Sequence, residues 1–283
     1  MAVTYADVDY VGTGSVWVYQ PSTGREVTLE RLTPFGRGFD LPDVPCTGRM
    51  VADVGGLHLE IDERGADATR IRATCASTPE GPLDLDITVA RPAGHESTNV
   101  VIPWSSRRFQ FTSKHNTRPA TGTVTVGAHT FQLGDGNPAY ATLDLGRGVW
   151  KYRTNWNWAA ASGVAADGRT VGLQFGGKWT VGTGHTENAL CVDGRMSKLH
   201  DELDWEYSWD APLEPWRVRD PGGRVDATLT PRHDRHARTS LGVLSMEVHQ
   251  CFGTWDGWLL TDAGERVEFA GLTGFAEEAR NRW

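Results

Sequence analysis

Residues 150–158, WKYRTNWNW, divide by twos: Trp150, Tyr152, Thr154, Trp156 and Trp158 form one set, and Lys151, Arg153, Asn155 and Asn157 the other. Successive side chains of an extended strand point to opposite faces, so the stretch predicts a strand with an aromatic wall behind it and a row of hydrogen-bonding groups in front. A helix would scatter both sets around its circumference. The same period recurs in Leu83, Leu85, Ile87 and Val89, which alternate with Asp84, Asp86 and Thr88 as in a half-buried strand with a solvated acidic face. Further strands are predicted over 11–21, 25–35, 49–62, 68–77, 122–133, 139–146, 169–179, 224–231, 237–253 and 257–269, with 33 Gly and 14 Pro supplying the turns between them. Asp193-Gly194 lies between apolar runs and predicts a two-residue type I′ hairpin, which sets Val192 opposite Arg195 and, counted back, Glu187 opposite His200. GFAEEARNRW, 274–283, reads as a short helix. The expected fold is therefore all-β, two antiparallel lobes of barrel or sandwich type with a short C-terminal helix. The crossing falls where the pattern loosens between 93 and 120, giving an N-terminal lobe over 1–103 and a C-terminal lobe over 104–283 that carries the main motifs; one continuous sandwich is the alternative.

A chain of 283 residues buries enough surface to fold without a disulfide or a metal. With 28 Lys and Arg against 36 Asp and Glu its net charge is −8, which repels a phosphate backbone, and no basic run interleaved with aromatics offsets it. Nucleic acid is excluded as an expected partner. No apolar run approaches the ~18 residues that span a bilayer, and MAVTYADVDY lacks a basic stretch followed by an apolar core. The expectation is a cytoplasmic protein without integral membrane association. Cys46, Cys75, Cys191 and Cys251 form no C-x-x-C pair and are expected as free thiols.

Several groups of residues have the composition of a site. Asp144, Gly146, Arg147 and Gly148 in LDLGRGVW make a glycine-bracketed turn in which Arg147 offers a rigid fork to a carbonyl or carboxylate; an Asp144–Arg147 ion pair stapling the turn is the plainer alternative. GGKWTVGTGHTENAL has neither Walker spacing nor a G-x-G-x-x-G opening a helix, so it reads as a flexible rim loop. On an extended strand His185 and Glu187 share a face, and the hairpin adds His200 beside them. A carboxyl group next to imidazoles and aromatic walls is tuned toward general-acid work, with a cross-strand surface pair as the alternative. Glu247, His249 and Cys251 in EVHQC also share a face, but one strand supplies too few converging ligands for a metal, so a hydrogen-bonded, largely buried His249 is expected and no metal. Trp156 and Trp158, flanked by asparagines, suit ligand contact, and sugar recognition stays open.

FQFTSKHNTRPATG, LDLGRGVWKYRTNWNWAAASG, VGLQFGGKWTVGTGHTENALCVDGR, RVDATLTP, ARTSLGVLSMEVHQCFG and GFAEEARNRW together resemble the uncharacterised family called domain of unknown function 2804, over roughly Tyr5 to Trp283. Family members resemble this chain after some tens of additional residues, including a tryptophan-rich stretch, which implies an open strand edge or cavity wall in the first lobe of this form. Where the family has Pro this chain has Lys151, and where it has Asp this chain has Val181, which removes a carboxylate from the rim loop. In β-lobe architecture the family is similar to two-lobed lipocalin-like proteins, among them carotenoid hydratases and cofactor-free cyclases. The resemblance implies an apolar small-molecule ligand and no cofactor.

Residues and resemblance combine into one expectation: a cofactor-independent acid/base enzyme that hydrates, cyclises or isomerises an apolar isoprenoid- or polyketide-like molecule. Glu187 is the expected proton donor, tuned by His185 or His200, with Asp144 as the alternative acid and His249 as a second base. Arg147 and Arg153 orient a polar handle, Asn155, Asn157 and Asn188 hydrogen-bond it, and Trp156 and Trp158 shape the apolar wall. A non-catalytic carrier of a hydrophobic ligand, or a carbohydrate-binding or carbohydrate-active protein, are the alternatives.

Overall fold

The structure is a computed structural model describing residues 1–241 and 244–282, and every regular element among them is a strand. Gly242, Val243 and Trp283, which fall in the predicted 237–253 strand and the predicted helix, lie outside the described residues. The chain divides into two compact units and passes between them three times: residues 1–93 with 119–139 form the first, and 94–118 with 140–283 the second.

In the first unit, β1 (Ala2–Asp7), β2 (Val11–Gln20) and β3 (Arg25–Pro34) make a three-stranded antiparallel sheet. A second sheet runs through β4 (Phe39–Asp40), β5 (Arg49–Val54), β6 (Leu57–Asp62), β7 (Ala68–Thr78) and β8 (Gly81–Ala90). The alternation over 83–89 is realised there: Leu83, Leu85, Ile87 and Val89 are buried, and Asp86 pairs with Arg70 at 2.6 Å on the solvated side.

Next come β9 (Thr98–Pro103) and β10 (Phe109–Val126), whose first half belongs to the second unit and whose second half belongs to the first. Its far half pairs with β8 and with β11 (His129–Leu133); its near half pairs with β9 and with β12 (Tyr140–Gly148). The polar run 109–118 is thus a strand, and Gln110, Thr112, Lys114 and Asn116, which share one side of it, are all buried.

The rest of the second unit is a nine-stranded antiparallel sheet of β13 (Arg153–Val164), β14 (Thr170–Gly177), β15 (Ala189–Val192), β16 (Arg195–Lys198), β17 (Asp204–Glu206), β18 (Trp216–Arg219), β19 (Val225–Leu241), β20 (Leu244–Leu260) and β21 (Arg266–Arg282). Its strand order is β16-β15-β14-β13-β21-β20-β19-β18-β17. One face encloses the main core, with Phe175, Trp216, Trp255 and Leu173 all fully buried. The hairpin at Asp193-Gly194 has φ of 48° and 80° at its two central residues, as a type I′ turn requires, and Val192 faces Arg195.

Two expectations are corrected. The terminal segment is not a helix: β21 lies between β13 and β20 and bonds to both. Two ladders outweigh the helix propensity of Ala and Glu, which amounts to only tenths of a kcal/mol per residue. The two-faced strand begins at Arg153 and not at Trp150: the Val149 N–H to Phe109 carbonyl bond lies at the end of the β12–β10 pairing, and residues 149–152 belong to no strand.

Candidate functional site

The cross-strand registers place Gly176, Trp158, Glu277, Gln250 and Arg235 in one row across β14, β13, β21, β20 and β19, on the face opposite the main core. Directly paired residues of an antiparallel sheet point the same way, so one interaction chain can run along the row. The Gln250 amide donates to Glu277 Oε2 at 2.7 Å while its carbonyl accepts from Arg235 at 3.3 Å. The Trp156 indole N–H donates to Glu277 Oε1 at 2.9 Å. Trp158 donates to the Gln174 side-chain carbonyl at 3.1 Å and meets Phe275 edge to face at 4.7 Å.

At the Gly176 end the row meets Glu187, which is 2 % exposed. A Cβ at position 176 would stand 2.8 Å from Glu187 Oε2, so only glycine leaves room for this carboxylate. Glu187 accepts from Thr112 Oγ1 through Oε1 and from the Trp179 indole N–H through Oε2, the latter at 2.6 Å. Lys114 extends its ammonium from the near half of β10 into the same place. It lies 2.7 Å from Asp144 Oδ2, 3.7 Å from Glu187 Oε1 and 4.3 Å from the centre of the Trp158 ring. The result is one ammonium among three carboxylates, with Trp156, Trp158, Trp179 and Phe275 around them.

The electrostatics separate the roles. Burial pulls the Lys114 ammonium pKa down, but Asp144 and Glu187 outweigh it and hold the group firmly charged. Burial pushes Glu277 up to about 7, with the Asp144 charge adding to the rise and the Trp156 and Gln250 hydrogen bonds and Lys114 opposing it. A carboxyl group titrating near neutrality, beside aromatic faces, can donate a proton and take it back.

Of the residues singled out from sequence, Glu187, Asp144, Trp156 and Trp158 come together here. His185 does not: residues 185–188 are outside any strand, and His185 is exposed while Glu187 is buried. The ladder that was to bring His200 beside Glu187 ends at Ala189↔Lys198, extended only by the Leu199 N–H to Asn188 carbonyl bond, and His200 is exposed. Asp144 pairs with Lys114, and Arg147 is exposed. Arg153 and Asn155 are exposed at the start of β13. Asn157 points to the core side, where it donates to the Tyr207 hydroxyl at 3.0 Å. Asn188 is a brace, accepting from Gly176 N–H at 2.8 Å and donating to the Asp201 carbonyl at 3.1 Å. His249 lies on the core-side face too, hydrogen-bonded to Asp234 at 2.7 Å.

Lys114, Glu277, Gln250, Thr112 and Trp179 were missed. The alternation of Gln110, Thr112 and Lys114 in FQFTSK was a signal for the first side of the site. Glu277 was hidden because consecutive carboxylates, Glu277 and Glu278, are both buried, one on each face. Glu278 is held below the usual carboxylate range: burial raises it, but Arg280, Lys178 and Tyr207 outweigh that.

Two units built only of antiparallel strands among the described residues make this an all-β protein of the lipocalin-like architecture. Three solved structures share it. An AttH-type protein from Nitrosomonas europaea aligns with TM-score 0.55 and 12% identity over 95% of this chain and 80% of its own. Kievitone hydratase from Nectria haematococca gives TM-score 0.57 and 13% identity over 99% and 82%, and CghA solved with Sch210972 gives 0.50 and 14% over 96% and 84%. No curated protein matches the chain by sequence. The chain belongs to the family described as domain of unknown function DUF2804, whose model spans residues 1–283. None of the helices needed to cross a membrane is present among the described residues.

Proposed function

We propose that this protein is a cofactor-independent acid/base enzyme that protonates an apolar isoprenoid- or polyketide-like small molecule in the cytoplasm, leading to hydration, cyclisation or isomerisation. The observation that carries the reading is Glu277, a buried carboxyl group with a pKa of about 7 whose oxygens are gripped by Trp156 and Gln250. Glu277 replaces Glu187 as the donor. Glu187, tied to Thr112 and Trp179, instead fixes Lys114 together with Asp144. Proton transfer from Glu277 to an alkene or enol carbon leaves positive charge on the substrate, and the faces of Trp158 and Trp156 stabilise it. Water or an internal nucleophile then adds, or a proton is lost, and the Glu277 carboxylate is the base that closes the cycle. The lipocalin-like neighbours include one named a hydratase, which supports the reaction class by analogy alone.

Mass spectrometry of small molecules that co-purify with the protein identifies the ligand class, and turnover on that compound tests the chemistry. Glu277→Gln is expected to lower kcat about 100-fold or more, the usual contribution of a positioned general acid. Unchanged turnover in that variant rejects the assignment, and an intact ligand with no product on incubation identifies a carrier.

A further inference from the structure

The core-side face of the large sheet carries a second group of titratable side chains for which the acid–base reading has no use. His236 on β19 and His249 on β20 are direct cross-strand partners. Their rings lie parallel to within 3°, with centres 4.2 Å apart. Glu247, two residues from His249 on the same side of β20, brings Oε1 to 3.2 Å from His236 Nε2. One ligand atom from each of the three lies within 4.8 Å of the other two. His249 bonds through Nδ1 to Asp234 Oδ2 at 2.7 Å, and its ring meets the edge of Trp209 at 4.5 Å.

We propose that His236 Nε2, His249 Nε2 and a Glu247 carboxylate oxygen bind a divalent d-block cation of the zinc type, with Asp234 as the positioning residue behind His249. The donor set selects the class of ion: two imidazoles suit zinc, cobalt, nickel or copper, whereas magnesium and calcium require mostly oxygen. The Asp234–His249 bond fixes the tautomer that leaves Nε2 unprotonated for the metal, the arrangement found behind metal-ligating histidines. A tetrahedral ion at ~2.0–2.1 Å from its ligands sets them about 3.3 Å apart. The three ligand atoms lie within 4.8 Å of one another with the site empty, and His236 is the exposed member of the three. Arg238 is a weak competitor, its Nε 3.9 Å from Glu247 Oε2. Cys251 on the same strand face is no ligand, because its fully buried thiol turns to the Pro212 carbonyl at 3.2 Å. Three protein ligands leave a coordination position for water or a bound molecule.

The site was half legible in EVHQC, which supplies Glu247 and His249. The ligand that one strand cannot provide is His236 on β19, 11 residues before Glu247 but brought beside it only by the strand register.

The test is titration of the metal-stripped full chain with Co²⁺ and Zn²⁺. One equivalent of Co²⁺ is expected to bind with visible d–d absorption of a four- or five-coordinate ion, and Zn²⁺ is expected to displace it. His236→Ala is expected to weaken Zn²⁺ binding at least tenfold, with His236→Gln as the larger substitute should the first variant lose its circular dichroism. Asp234→Asn is expected to weaken it about tenfold and shift the Co²⁺ spectrum. His129→Ala, on β11, is expected to change nothing. Absence of saturable binding at micromolar Zn²⁺, or affinity unchanged by the substitutions at 236 and 234, overturns the proposal, the latter by showing an adventitious ion only.

Discussion

Glu277 combines two consequences of one buried position. Its pKa rises from an ordinary 4.5 to about 7 because burial costs the charged form more than the Trp156 and Gln250 hydrogen bonds and Lys114 return. An acid that must be protonated to act loses activity as pH rises through that value, so kcat/KM is expected to fall about tenfold per pH unit above about 7, as read from a pH–rate profile. Stability follows the same proton. Between pH 4.5 and 7 the folded chain holds a proton that the unfolded chain releases, so this group favours folding most at the acid end and loses about 3 kcal/mol as pH rises to neutrality. Chemical denaturation across pH 5 to 8 is expected to show that slope in the native protein and a flatter one in Glu277→Gln. Identical slopes would mean that Glu277 titrates normally. At Gly176 the argument is steric: Gly176→Ala forces Glu187 off its Trp179 and Thr112 bonds, and a loss of about 1–3 kcal/mol in unfolding free energy is expected.

At the scale of the element, β21 shows what the primary structure conceals. Phe275, Glu277, Ala279 and Asn281 fall on one side of the strand and Gly274, Ala276, Glu278 and Arg280 on the other. Neither side is uniformly apolar, since each buries a carboxylate, so the period-two signal cancels and the helix-forming residues dominate a local reading. β8 was legible because its faces differ, and the Asp193-Gly194 hairpin because only positive φ at both positions closes it. The site was read in part for the same reason: Trp156 and Trp158 alternate visibly, whereas Lys114 stands among Ser113, His115 and Asn116, all buried. A strand this enclosed tolerates no added bulk. A Cβ at Gly274 would lie 2.3 Å from the Ala160 carbonyl oxygen and 2.7 Å from Ala161. Gly274→Ala is expected to destabilise the protein by about 1–3 kcal/mol in a urea titration, with no change in the pH slope assigned to Glu277.

At the scale of the whole molecule, the chain's three passages between units set what can be cut. A fragment of residues 1–103 carries β8 without the half of β10 that pairs with it from Val126↔Leu83 to Ala120↔Val89. It leaves seven residue pairs of ladder unmade along a strand whose inner side is Leu83, Leu85, Ile87 and Val89. Such an edge invites association, so that fragment is expected to aggregate, whereas 1–93 joined by a short linker to 119–139 is expected to be more soluble and to give a strand-type circular dichroism spectrum. Equal behaviour of the two fragments would show that the β8–β10 ladder contributes little.

Synthesis on the ribosome meets a related constraint. β13 emerges with residues 153–164 and β20 with 244–260, yet both must wait for β21, translated after every other strand of their sheet, before they are joined. Until residues 266–282 arrive, two long unpaired borders face the cellular milieu, and a chaperone that shields them has a defined interval in which to act. The proton donor arrives with the strand that ends this exposure, so a nascent chain gains its proposed acid only as its large sheet becomes continuous.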